Sequence, residues 1–164
     1  MTTRANLKIE SIGLDWHETA QLFRGADGYP TAVLPSLVKA YRWSGGGWEA
    51  GRACKVAAYI CASSYVPAHK VGDHDMPPYV PYEPDTGLTP HGDIEWYYIL
   101  SLINQDGGSM DERPRWEVEV FRPKKGFWDN PSLLNLSLVA FGEIHEIAER
   151  AAEIEQSAYK GVEA

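Results

Sequence analysis

Two short stretches place acidic and aromatic side chains at spacings that could do chemistry: Gly25-Ala26-Asp27-Gly28-Tyr29-Pro30 and, much later, Gly92-Asp93-Ile94-Glu95-Trp96. Asp93 and Glu95 stand two apart in a strand-like run, so they are expected to project from one sheet face. With Asp27 as a third carboxylate they could hold a divalent cation, share a proton, or bind a cationic partner. Trp96, Tyr97 and Tyr98 would add flat apolar area beside them. Each acid also has an ordinary reading. Asp27 suits a turn, where its short side chain bonds nearby backbone, and Asp93 can start a strand in the same way. Glu95, inside Ile-Glu-Trp-Tyr-Tyr, is the acid least explained by local structure.

Other constellations carry less. His69, Asp73, His74, Asp75 and His91 are metal-compatible, but His-Lys-Val-Gly-Asp-His-Asp matches no zinc spacing, and a solvated loop is expected there. His145-Glu146-Ile147-Ala148-Glu149 resembles a helical zinc-protease motif without its second histidine, which excludes that activity. Pro77-Pro78-Tyr79-Val80-Pro81-Tyr82-Glu83-Pro84 has Pro-x-x-Pro spacing. The expected outcome is a stiffened loop whose Tyr79 and Tyr82 pack on the body. There is no phosphate-cradling Gly-rich loop, no Gly-x-Ser-x-Gly and no Cys-x-x-Cys; Gly45-Gly46-Gly47 lacks the Lys-Ser/Thr of a phosphate loop. No motif names a cofactor, and no metal ligand set is assigned.

These residues need elements to position them. Leu7 to Leu14 and Thr19 to Gly25 alternate as a hairpin. Pro35 suits a first helical position, with Leu37, Val38 and Tyr41 as the apolar stripe. Ala53, Val56, Ala57 and Ile60 mark a second helix from about Trp48 to Ala62. Ser63 to Gly92 holds six of the 11 prolines and three of the five histidines, and long loops of this kind are usually functional or disordered. Asp93 to Ile103 and Arg115 to Arg122 are the strongest strands, joined as a hairpin by 104–114, and Leu133 to Phe141 alternates as another. Ile144, Ile147, Ala148, Ala151, Ile154 and Ala158 repeat every 3.6 residues as one final helix, with Glu146 and Arg150 placed to pair. The expected fold is α+β, an antiparallel sheet of about five strands on three helices, with the Pro-rich loop over one end.

At 164 residues and 44% hydrophobic, the chain suits one domain, 1–164. Fifteen Lys and Arg against 23 Asp and Glu give a net charge of -8 with no segregated basic patch, which disfavours generic nucleic-acid binding. Cys54 and Cys61, about 10 Å apart along a helix, are too distant to pair. Free thiols, no apolar leader and no run of about 18 apolar residues lead to the expectation of a cytoplasmic protein without membrane association.

The order strand, Gln-Leu-Phe-Arg-Gly-Ala-Asp-Gly-Tyr-Pro, helix, small-residue helix, long loop and His-Gly-Asp-Ile-Glu-Trp-Tyr-Tyr resembles a family of small uncharacterised bacterial and phage proteins. Their forms read Tyr-Arg-His-Trp-Asp-Gly-Tyr-Pro and Gly-Asp-Ile-Glu-Tyr-x-Tyr. The resemblance covers about residues 7 to 103. Phe23 and Arg24 stand at the Tyr-Arg pair, Asp27 to Pro30 match directly, and Asp93 to Trp96 fill the second motif. Gly25 and Ala26 replace the usual His-Trp, so no role of that imidazole or indole carries over. The resemblance implies a mobile-element setting and no established activity. It leads to a non-enzymatic binding protein, phage or prophage encoded, that captures a host protein or small ligand in an accessory, host-takeover or counter-defence role. Arg24, Asp27, Tyr29, Asp93, Glu95 and Trp96 would form its binding walls. The rival is a carboxylate- and metal-assisted hydrolase using Asp27, Asp93, Glu95 and a loop histidine.

Overall fold

The computed structural model describes residues 3–45, 47–87, 90–105 and 113–160. Strands β1 (Ala5–Ile12) and β2 (Thr19–Arg24) form the expected hairpin, followed by helices α1 (Pro30–Trp43) and α2 (Ala53–Ser63). Three short strands, β3 (His69–Val71), β4 (His74–Met76) and β5 (Tyr82–Pro84), lie in the Pro-rich segment. Then come β6 (Trp96–Ile103), β7 (Arg115–Pro123), β8 (Leu136–Glu143), α3 (Ile144–Glu149) and α4 (Ala151–Lys160). The fold is α+β, but the sheet has six strands in the order β5-β2-β1-β6-β7-β8 and is mixed. β1 and β6 run parallel, from Ala5 beside Trp96 to Ile12 beside Ile103, and the other neighbours are antiparallel. The parallel pair follows from the long excursion through α1 and α2, since parallel neighbours need a crossover of a dozen or more residues.

Strand alternation sorts side chains onto two faces. Ala5, Leu7, Ile9, Leu22, Trp96, Tyr98, Leu100, Trp116 and Val118 pack under the helices with Val33, Leu34, Leu37, Val56, Ile60, Ile147 and Ile154. A smaller cluster of Ile94, Tyr97, Phe127 and Leu136 sits apart from it, with Phe23, Ile99 and Phe121 against it. The Trp116 indole N–H donates to the Ala50 carbonyl at 2.7 Å, tying β7 to the turn before α2.

Several element boundaries depart from expectation, among them the starts of α2 at Ala53 and of β8 at Leu136, each preceded by a short 3-10 turn. Helix α1 starts at Pro30, whose missing N–H costs nothing at the first position, and Pro35 lies inside it. Strand β6 begins at Trp96, so Asp93 and Glu95 precede it. The last helical run is two helices rather than one. Arg150, at φ −96° and ψ 8°, separates them, and its N–H bonds Ile147 at 3.1 Å in a tightened turn. Arg150 therefore pairs with Glu153 at 3.5 Å instead of Glu146. Finally, the segment expected as a loop over one end contains strands β3 to β5. Most of the connection between β6 and β7 lies outside the described residues.

The N-terminus of α2 is capped from a distance. Ser11 Oγ accepts from the Ala53 N–H at 2.9 Å, and Glu18 accepts from the Cys54 N–H at 2.9 Å and the Trp16 indole at 3.0 Å. Both cysteines are free, with Cys54 exposed and Cys61 half-buried. Among the described residues no helix is long and apolar enough to cross a membrane.

Candidate functional site

The Asp27-Gly28-Tyr29-Pro30 corner is built around backbone. Asp27 is exposed at φ 53°, a left-handed conformation that Asp and Asn enter more readily than other non-glycine residues. Gly28 is buried against the start of β1. A Cβ there would lie 2.8 Å from the Ala5 Cβ and 2.9 Å from backbone atoms of Arg4 and Ala5, so no other residue fits. Its N–H donates to the Thr3 carbonyl at 2.9 Å, and its carbonyl accepts from the Tyr98 hydroxyl at 2.8 Å. Tyr29 caps α1 with its carbonyl, which accepts from the Ala32 and Val33 N–H groups at 3.0 and 2.9 Å.

The second acidic stretch meets the same strand from its other side. Asp93 pairs with Arg4, and the Glu95 N–H donates to the Arg4 carbonyl at 2.9 Å. The Glu95 carbonyl accepts from Arg122 at 2.8 Å, and that guanidinium lies 4.7 Å over the fully buried Trp96 ring and 5.2 Å over Tyr159. Thr3, Arg4 and Ala5 thus run between the Asp27 corner and Asp93–Glu95. The two stretches are tied to one strand end rather than facing each other across a cleft. Among the described residues no group of three or more His, Cys, Asp or Glu side chains is arranged to hold a metal ion. Trp96 serves the core, not a surface.

Arg24 and Asp27 do share a hollow, with a wall that motif reading had not supplied. A pocket of about 200 Å³ is lined by Arg24, Gly25, Ala26, Asp27, Tyr79, Val80, Pro81 and Glu83. The Arg24 guanidinium lies 4.9 Å over the Tyr82 ring while its Nε donates to the Ala26 carbonyl at 3.0 Å. Tyr82 is buried, which pushes its phenol up, and it anchors β5 at the sheet edge. Tyr79 stays 46% exposed.

From that hollow a hairpin projects. β3 and β4 pair His69 with Met76, Lys70 with Asp75 and Val71 with His74. The Val66–Tyr79 bridge closes its base with two hydrogen bonds of 2.9 and 3.0 Å. Gly72, at φ +60°, takes the first position of the two-residue turn, where glycine is favoured. Every residue from 67 to 80 is exposed. The sequence did contain a signal for this arm, Val-Gly-Asp-His between alternating residues, which a reading for metal spacing passes over.

A polar cluster on the sheet was also missed. Asp85 accepts from Asn6 at 3.2 Å and Gln21 at 3.1 Å, bonds the His91 ring at 2.8 Å and accepts from the Gly87 N–H at 3.1 Å. The His91 ring stacks on Phe23 at 4.4 Å. Burial would raise the Asp85 carboxyl, but the bonds from Gln21, Gly87 and His91 outweigh it and hold the group below its ordinary value. The cluster fastens the chain after β5 onto β1 and β2.

Compared with protein families, curated proteins and solved structures, the chain gives no match.

Proposed function

We propose that this is a non-enzymatic binding protein that captures another protein through the hairpin arm 66–79 and the Arg24–Asp27 hollow at its base. The observation that carries the reading is an ordered arm whose side chains the fold does not use. Isolated two-stranded hairpins are marginal in water. This one is held by its Val66–Tyr79 base, a tight turn and flanking prolines, yet it buries none of Val71, Met76 or Tyr79. A hollow of about 200 Å³ is smaller than the 300 Å³ or more typical of small-ligand sites. A convex arm beside it fits a protein groove better than a diffusible ligand. The resemblance to small phage and bacterial proteins adds a host protein as the partner and a host-takeover or counter-defence role as the setting. The carboxylate hydrolase is not carried forward, because Asp27, Asp93 and Glu95 are fastened to separate sides of the β1 end.

The test replaces residues 67–78 by two glycines, which closes Val66 onto Tyr79 with a two-residue turn. The intact chain retains a partner from host extract that crosslinks to a photoreactive residue at position 71, and the shortened chain loses it at unchanged Tm. Equal capture by both chains overturns the proposal.

A further inference from the structure

The arm's pairing sorts its side chains by chemistry. Directly opposed residues share a face and faces alternate along each strand. His69, Val71, His74 and Met76 therefore stand on one face, while Lys70 and Asp75 stand on the other and pair at 3.7 Å. One exposed face thus carries two imidazoles and a thioether. His69 and Met76 are directly opposed; His74 is the diagonal neighbour of His69, about 7–8 Å away by strand geometry and within reach of long side chains.

A second observation concerns the tautomer. The His69 Nδ1 lies 3.1 Å from the Pro67 carbonyl. A carbonyl only accepts, so Nδ1 carries a proton, and in the neutral ring Nε2 then presents its lone pair. A ring nitrogen held by a backbone carbonyl is the usual outer support of a metal-ligating histidine. Asp75 stands on the other face, 3.7 Å from Lys70, so the paired strand residues of this face offer nitrogen and sulfur donors only.

We propose that His69 Nε2, Met76 Sδ and His74 form a binding site for a soft d¹⁰ cation, Cu(I), on the exposed face of the arm. Thioether ligands select Cu(I) over zinc, magnesium or calcium. Zinc would need further hard or thiolate donors, and no third His, Cys, Asp or Glu is gathered here among the described residues. The site stands independently of the partner reading, because the arm can dock a protein with or without the ion.

The test is anaerobic titration of the full-length protein with Cu(I), in competition with a chromophoric Cu(I) chelator. The expected result is one Cu(I) per chain, with affinity falling at least 10-fold in Met76→Leu and in His69→Ala. Zn(II) is held at least 10-fold more weakly, and Met76→Leu does not change it. The double variant Cys54→Ser/Cys61→Ser separates the arm from the chain's two thiols and keeps full Cu(I) affinity. All these changes lie on exposed or half-buried positions, and Tm is measured for each. Failure to compete for Cu(I), equal competition by Met76→Leu, or loss of binding in the double serine variant overturns the proposal.

Discussion

The corner at Gly28 and the arm at Gly72 are both turns next to a strand, and they spend their residues in opposite ways. At the corner the backbone is used by the fold: the Gly28 N–H and carbonyl bond Thr3 and Tyr98, and the Tyr29 carbonyl caps α1. At the arm every side chain from 67 to 80 is turned outward. The conspicuous motif is therefore an architectural device, and the free chemistry lies in a less conspicuous neighbour. Arg24 and Asp27 belong to both regions, because they line the hollow together with Tyr79, Val80 and Pro81 at the base of the arm.

The comparison breaks first at the two glycines. Gly28→Ala puts a methyl within 3 Å of Ala5 and Arg4 backbone, and overpacking of this kind costs about 3 kcal/mol. Gly72→Ala meets nothing within 4 Å and costs only the left-handed strain, about 1 kcal/mol. Urea unfolding of the two variants should differ accordingly. Equal losses would mean that the corner is not held as tightly as its contacts require.

Tyr98→Phe comes next. The hydroxyl is fully buried, with its phenol pushed up by burial, and its bond to the Gly28 carbonyl has no solvent substitute. Removing it leaves a buried acceptor unpaired, with an expected loss of about 1–2 kcal/mol. If the arm captures a partner, that capture should be unchanged at a temperature where both chains are folded.

The corner shows where local sequence stops informing. Asp-Gly-Tyr-Pro is legible as a turn, and the alternation of β1, β6 and β7 is legible because each strand buries one face. The closeness of Gly28 to Arg4 is a long-range contact that turn statistics do not contain. The parallel β1–β6 pairing is equally non-local. Ile94 misled the start of β6: buried in the smaller cluster, it continues the apolar look of a strand before pairing begins. The break at Arg150 leaves the Ile and Ala period intact, so hydrophobic spacing passes over it. The arm was hidden for the opposite reason, since an element that buries nothing leaves no hydrophobic pattern.

Acid sharpens the contrast further. Burial alone would raise Glu18, but bonds with Cys54 and Trp16, the Cys54 backbone N–H and the charge of Arg52 outweigh it and lower the carboxyl from 4.5 to about 2. A depressed folded pKa means that the group's stabilisation is complete above 4.5 and is lost as pH falls toward 2. Glu18→Gln should flatten that part of the stability profile and cost about 1 kcal/mol at neutral pH, the scale of one charged cap interaction. The Lys70–Asp75 pair on the arm is exposed on both sides. Asp75→Asn should change stability by less than about 1 kcal/mol, because exposed pairs are worth little.

The smallest expected change in stability carries the largest expected change in binding. Tyr79 is 46% exposed and Val71 57% exposed, and neither side chain belongs to the hydrophobic core. Surface substitutions away from special features usually stay within about 0.5 kcal/mol. Val71→Ser and Tyr79→Ser should therefore leave the denaturation midpoint within error of the parent. If the arm is the contact, an aromatic anchor at its base is worth about 2 kcal/mol or more to a partner, and Tyr79→Ser weakens capture by at least 30-fold. Two variants bracket that effect. Arg24→Ala removes the charged wall of the hollow and should weaken capture less than Tyr79→Ser, because a rim charge acts mainly on association rate. Tyr82→Phe keeps the buried ring but loses the hydroxyl bond to Ser36 at 2.6 Å; it should lower stability while sparing capture by the folded chain. The opposite pattern, with Tyr79→Ser destabilising the fold and leaving capture intact, would make the arm a brace for β5 and not the contact surface.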